Sequence, residues 1–114
     1  MASAKNKVIA GDYTGQYVVK DLMAKGHINV AGKTVAKWSV SGYDLITEEK
    51  VKSGSSAILR GMAGVVVLGS VGILAGLSAK NRGINTVALA WLDGKKSLME
   101  IDDKLYKMLV SSMF

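Results

Sequence analysis

The sequence predicts an α+β fold: a small antiparallel sheet with an inserted glycine-rich helical hairpin and a C-terminal helix. Three observations predict it. Residues 7–50 break into short apolar segments separated by glycines. Gly61–Ala79 passes without a charge. The last thirty residues hold two apolar runs joined by Asp93-Gly94, then a helical repeat. A chain of 114 residues suits one domain with a single modest core. We divide residues 1–114 into a first strand set (7–50), an inserted glycine-rich helical segment (53–82), and a hairpin plus helix (84–114).

The first strands are short. "NKVIAGDY" and "GQYVVKDL" flank a turn at Thr14-Gly15, and "HINV" follows Lys25-Gly26. In "KTVAKWSVSGYDLI", Ala36, Trp38 and Val40 alternate with Lys37 and Ser39, the period of a half-buried strand. This parity gives Trp38 a core position, and Trp38 and Trp91 are expected to anchor one core. Gly11, Gly15, Gly26, Gly32 and Gly42 punctuate at hairpin-like spacing. The order of elements invites comparison with a pleckstrin-homology-like meander, a fold-level analogy that carries no function.

"TEEKVKSGSSAILR" is polar and helix-compatible, and leads into the apolar segment. On one helical wheel Gly54, Ala57, Gly61, Gly64, Gly69, Gly72, Gly76 and Ala79 fall within an arc of roughly 140°. Glycine in a helix costs about 0.5–1 kcal/mol against alanine. A one-sided run of glycines therefore points to close approach of another backbone, and Gly72 and Gly76 have the small-xxx-small spacing. Gly61, Gly64, Gly69, Gly72 and Gly76 are the candidate self-association residues. The segment is long enough for a bilayer, which requires about 20 apolar residues. A single span would, however, separate strands that look like parts of one sheet. A helical hairpin turning near Gly69-Ser70 keeps them together, packed against copies of itself or dipping into one leaflet.

Asp93-Gly94 is a hairpin signal, read as a two-residue loop with positive φ. Asp102 or Asp103 then caps a helix whose Leu105, Met108, Leu109 and Met113 form one face.

"RGMAGVVVLGSVGILAGLSAKNRG" followed by "VALAWLDGKKSLMEIDDKLYKML" resembles small glycine-zipper proteins of Gram-positive bacteria and their phages. The resemblance covers roughly Val51 to Phe114. Many of those proteins have Gly-Pro where this chain has Gly69-Ser70. The resemblance implies a glycine-zipper segment followed by a hairpin and a helix, and brings with it no catalytic residues.

Catalytic chemistry is sparse. Without cysteine there are no disulfides, thiolate zinc sites or thiol nucleophile. The single histidine, His27, has the outward parity of "HINV" and reads as a surface residue. The pairs Glu48-Glu49 and Asp102-Asp103 are adjacent in sequence and point apart, as solvated or capping residues. "SGSSA" at Ser53–Ala57 lacks the Gly-Lys-Ser/Thr ending of a phosphate loop. No catalytic, cofactor or metal residue is therefore assigned, and the expectation is a non-enzymatic protein.

Lys+Arg of 15 against Asp+Glu of 9 gives a net charge of +6, which favours acidic partners. Lys80, Arg82, Lys95 and Lys96 are the candidate basic contacts. The remaining lysines, with Tyr13, Tyr17, Tyr43 and the tryptophans, would suit nucleic acid, but the chain has only two arginines. The expected function is a non-catalytic interaction protein that self-assembles, as a homo-oligomer, or contacts membrane through the glycine-rich segment. The rival readings are a phage- or host-encoded inhibitor of an acidic protein and a basic nucleic-acid-binding module. "MASAKNKVIAGDY" has no apolar run of the secretory kind, so the expected compartment is cytoplasmic, with membrane association an extension of it.

Overall fold

The structure, a computed structural model, describes residues 5–62 and 83–114. In chain order the elements are β1 (Lys7–Gly11), β2 (Val18–Lys20), β3 (Ile28–Val30), β4 (Lys33–Val35), β5 (Val40–Leu45), α1 (Glu48–Ser53), α2 (Ala57–Arg60), β6 (Asn85–Trp91), β7 (Lys96–Ile101) and α3 (Asp103–Ser112). The expected α+β class holds. The strands form two antiparallel sheets, one ordered β1-β7-β6-β5 and the other β2-β3-β4.

The larger sheet joins the two ends of the chain. β5 pairs with β6 from Val40↔Trp91 to Leu45↔Val87, and β1 pairs with β7 from Lys7↔Glu100 to Gly11↔Ser97. Strands before residue 50 and after residue 84 thus share one sheet. A single bilayer crossing between β5 and β6 would separate two hydrogen-bonded strands. Among the described residues no helix is long and apolar enough to cross a membrane. The expected helical hairpin, and with it Gly64, Gly69, Gly72, Gly76, Lys80 and Arg82, lies outside the described residues.

β6 explains its own composition. Val87, Leu89 and Trp91 face one core cluster with Val8, Val40, Met99 and Ile101. Ala88 faces a second, with Leu98, Ile46, Leu59 and Met62. A strand covered on both faces reads as an unbroken apolar run, as "TVALAW" does. The first cluster is completed by Val18, Ile28, Val30 and Val35 of the small sheet and by Leu105 and Leu109 of α3. Each such side chain contributes roughly 1.5–3 kcal/mol on burial. Exposed ion pairs contribute about 0–1 kcal/mol, so these two clusters carry the fold.

Residues 33–46 are not one strand. Val35 ends β4, residues 36–39 turn, and Val40 starts β5 in the other sheet. Ser39 holds the turn: its hydroxyl donates to the Thr34 carbonyl at 2.5 Å and accepts the Ala36 amide at 3.1 Å. Ala36 and Val40 are buried as the alternation required, but Trp38 is 66% exposed and is no core anchor. A tight turn and a strand share the same parity over so few residues.

The helical stretch is also interrupted. The Thr47 hydroxyl accepts the Lys50 amide at the start of α1, which ends at Gly54 with φ of +66°. The Ser56 hydroxyl caps the single turn of α2. Gly54 and Ala57 therefore do not belong to one continuous helix with the later glycines, and Gly61 is the C-cap of α2.

The β6–β7 hairpin forms where expected, with a longer loop. The Gly94 amide donates to the Trp91 carbonyl at 3.1 Å, and the Trp91 amide donates to the Lys95 carbonyl at 2.8 Å. Leu92, Asp93 and Gly94 thus make a three-residue loop in place of the expected two. Only Gly94 has positive φ, at +92°, the pattern of a type I turn ending in a glycine bulge. At α3 the cap is Asp102, whose carboxylate accepts the Leu105 amide at 2.8 Å. Leu105, Leu109 and Ser112 form its buried face, with Met108 and Met113 half-buried beside them.

Candidate functional site

The small sheet presents an end that its own core does not cover. Lys20, Ile28 and Val35 lie in one row across it. The segments that leave this row, residues 21–27 and 36–39, are therefore neighbours. The first carries Leu22 and Met23, 98% and 95% exposed, and the second carries Trp38. The His27 ring tilts against the Trp38 ring at 5.3 Å, joining the two segments. His27 Nδ1 lies 3.2 Å from the Val35 carbonyl oxygen. α3 ends at the same place: the Ser112 hydroxyl donates to the Met108 carbonyl at 2.8 Å and its oxygen lies 3.3 Å from the Gly26 carbonyl oxygen.

Leu22 and Met23 do not protrude from slack chain. The Asp21 carboxylate accepts the amides of Met23 and Ala24, both at 2.8 Å. It also accepts the Asn29 side-chain amide at 3.0 Å and the Thr34 hydroxyl at 2.5 Å. These bonds, led by Thr34, hold the Asp21 pKa far below the ordinary carboxylate range. Backbone bonds from the Asp21 amide to the His27 carbonyl and from the His27 amide to the Ala24 carbonyl close the loop. Two apolar side chains are thus held in water by a fixed scaffold.

Lysines lie in the same segments and on the helix packed beside them. Lys25 and Lys37 lie within the two segments, and Lys20 precedes the first. α3 packs on β2 and β3. It brings Lys104 beside Lys20, and this contact with a second ammonium lowers the Lys20 pKa. Lys107 follows one turn later on the same exposed face of α3. Residues 22–27, 36–39 and 104–114 contain no acid. The nearby acids are Asp21, engaged as described, and Asp102, the cap of α3, which partly offsets the effect of Lys104 on Lys20.

The residues expected from sequence are placed otherwise. Gly61 faces the Lys96 stem: a Cβ there would sit 2.8 Å from Lys96 Cε. Lys95 pairs with Asp93 at 3.5 Å, and Lys96 Nζ donates to the Gly94 carbonyl at 3.5 Å. These lysines serve their own hairpin. His27 is half-buried against Trp38 and less free than its parity suggested. Glu49 is exposed, and Asp102 is a cap. Leu22 and Met23 were missed, although two apolar residues between Asp21 and Lys25, outside any period, were the available signal.

Two other features are structural. Lys33 Nζ lies 5.2 Å from the Tyr13 ring centroid and 5.0 Å from that of Trp91, and donates to the Tyr13 hydroxyl at 2.9 Å. Tyr13 and Trp91 meet edge to face at 5.6 Å. The Tyr13 hydroxyl, then Asp93 at 3.4 Å, raise the Lys33 pKa despite some desolvation. This aromatic pair is filled by the chain's own cation, which ties β4 to β6. A groove of about 270 Å³ beside β1, lined by Lys5, Lys7 and Thr14 among others, falls below the usual size of ligand pockets, about 300–1,000 Å³. Among the described residues no group of three or more His, Cys, Asp or Glu side chains converges on a metal position. No protein-family model, curated protein or solved structure matches the chain.

Proposed function

We propose that this protein is a non-catalytic interaction module that docks through the lysine-rimmed end of its three-stranded sheet. The observation that carries the reading is the near-complete exposure of Leu22 and Met23 on a loop fixed by Asp21. Apolar side chains held rigidly in water favour a partner that covers them. A helical hairpin within residues 63–82, its self-association through Gly64, Gly69, Gly72 and Gly76, and the pleckstrin-homology-like analogy belong to the same reading and rest on sequence.

The test is photo-crosslinking in expressing cells with a benzophenone amino acid at position 23, and at Gln16 as control. Gln16 is exposed at the other end of the small sheet, beyond β2. Adducts from position 23 alone, to protein or to lipid, support the module. Equal labelling from both positions, or none, overturns it.

A further inference from the structure

We propose that the partner of the Leu22–Met23–Trp38 end is an anionic lipid bilayer surface, into which these three side chains insert while the surrounding lysines meet lipid phosphates. This deepens the interaction-module reading and rests on it. Shape is the first ground. Leu22 and Met23 stand at a loop tip and are almost fully exposed, so they project as wedges. A fluid headgroup region accepts a projecting wedge without a preformed pocket. Composition is the second. An aliphatic pair beside an indole is the set that settles at the boundary of headgroups and acyl chains, with the indole ring at headgroup level. Trp38 is the only exposed tryptophan, since Trp91 is 2% exposed.

Charge complementarity is the third ground. Lys20, Lys25, Lys37, Lys104 and Lys107 come from β2, both turn segments and α3, five cations against Asp21, held in its loop, and Asp102, the cap of α3. A lipid surface supplies phosphates at any lateral position, so lysines on separate elements are satisfied together.

The experiment uses the full chain with sedimented vesicles of phosphatidylcholine alone or mixed with phosphatidylglycerol, at low and high salt, reading bound protein and Trp38 fluorescence. Binding to the mixed vesicles with a blue shift is expected, and little to phosphatidylcholine. Neutralising Lys25 or Lys37 should weaken binding about fivefold each. Leu22→Ser with Met23→Ser should remove the blue shift while circular dichroism stays that of the wild type, and Trp38→Phe should remove it with binding largely kept. No binding to anionic vesicles at low salt overturns the proposal. So does unaltered binding and blue shift in the Leu22/Met23 variant. Equal affinity for duplex DNA or an acidic polypeptide, insensitive to that variant, also overturns it and assigns the face to a soluble polyanion. If position 23 crosslinks only to protein in cells, the bilayer is excluded and the interaction module stands. If it crosslinks to nothing, both fail.

Discussion

The Thr34 hydroxyl donates to the Asp21 carboxylate at 2.5 Å, tying β4 to the loop that leaves β2. Since the same carboxylate receives two loop amides and Asn29, it sets the geometry in which Leu22 and Met23 are displayed. Its folded pKa is depressed, so its stabilisation is present above the ordinary aspartate value and lost as pH falls from there toward the folded one. Asp21→Asn should be less stable than wild type at neutral pH, and the two stability curves should converge in acid. Denaturant unfolding over a pH series checks this. Asp44 and Asp93, also depressed, titrate in both proteins, so the difference isolates Asp21. Parallel curves would sink the assignment.

Gly11 has φ of +85°, and a Cβ there would lie 2.5 Å from the Lys96 carbonyl oxygen and 2.7 Å from Met62 Cε. Gly11→Ala should cost about 2–4 kcal/mol from backbone strain and crowding together. Gly15→Ala, with positive φ but open space, should cost clearly less. Urea midpoints order the two, and equal losses would refute the close approach.

The three-residue hairpin loop gives a separate expectation. Gly94→Val should destabilise by about 1–3 kcal/mol, because a β-branched residue tolerates φ of +92° poorly. Gly94→Asn should lose less, since asparagine visits that region. Thermal melts distinguish them.

Trp91 Nε1 donates to the buried Ser97 hydroxyl at 3.0 Å. Trp91→Phe should cost about 1–3 kcal/mol through this bond and lost packing. A double-mutant cycle of Lys33→Met with Trp91→Leu, which removes the aromatic face, should show a favourable coupling from the cation over the ring. Zero coupling would mean that Lys33 gains nothing from the indole.

For the glycine-rich segment, the one-sided arc makes Gly72→Leu a disruptor of assembly, or of folding, at a cost of about 1–3 kcal/mol. Light scattering and thermal melting read it. Wild-type mass and melting temperature would exclude close packing at that residue.

What was legible in the sequence followed from local rules. Asp93-Gly94 marked the hairpin, Asp102-Asp103 narrowed the cap to two residues, and the apolar run of β6 marked its burial. Trp38 was misread because a tight turn imitates strand parity over a few residues. The pairing of β1 with β7, and the meeting of Lys33 with Tyr13 and Trp91, depend on contacts remote along the chain, which no local pattern encodes. At the candidate site the lysines were visible as composition, but their gathering is a product of the register of β2, β3 and β4 and of where α3 packs.

The pairing of Lys7 with Glu100 sets the order in which the chain can fold during synthesis. β1 emerges from the ribosome about ninety residues ahead of its partner strand β7, or about 5–20 s at ordinary translation rates. Until then Val8 and the apolar face of the small sheet have no cover. Closing so long a loop raises the entropic barrier before the sheet rewards it, so folding should be slow for a chain of this size. Premature release before β7 would leave β1 and β6 with open edges, and truncation before β7 should yield aggregates in place of a smaller stable domain.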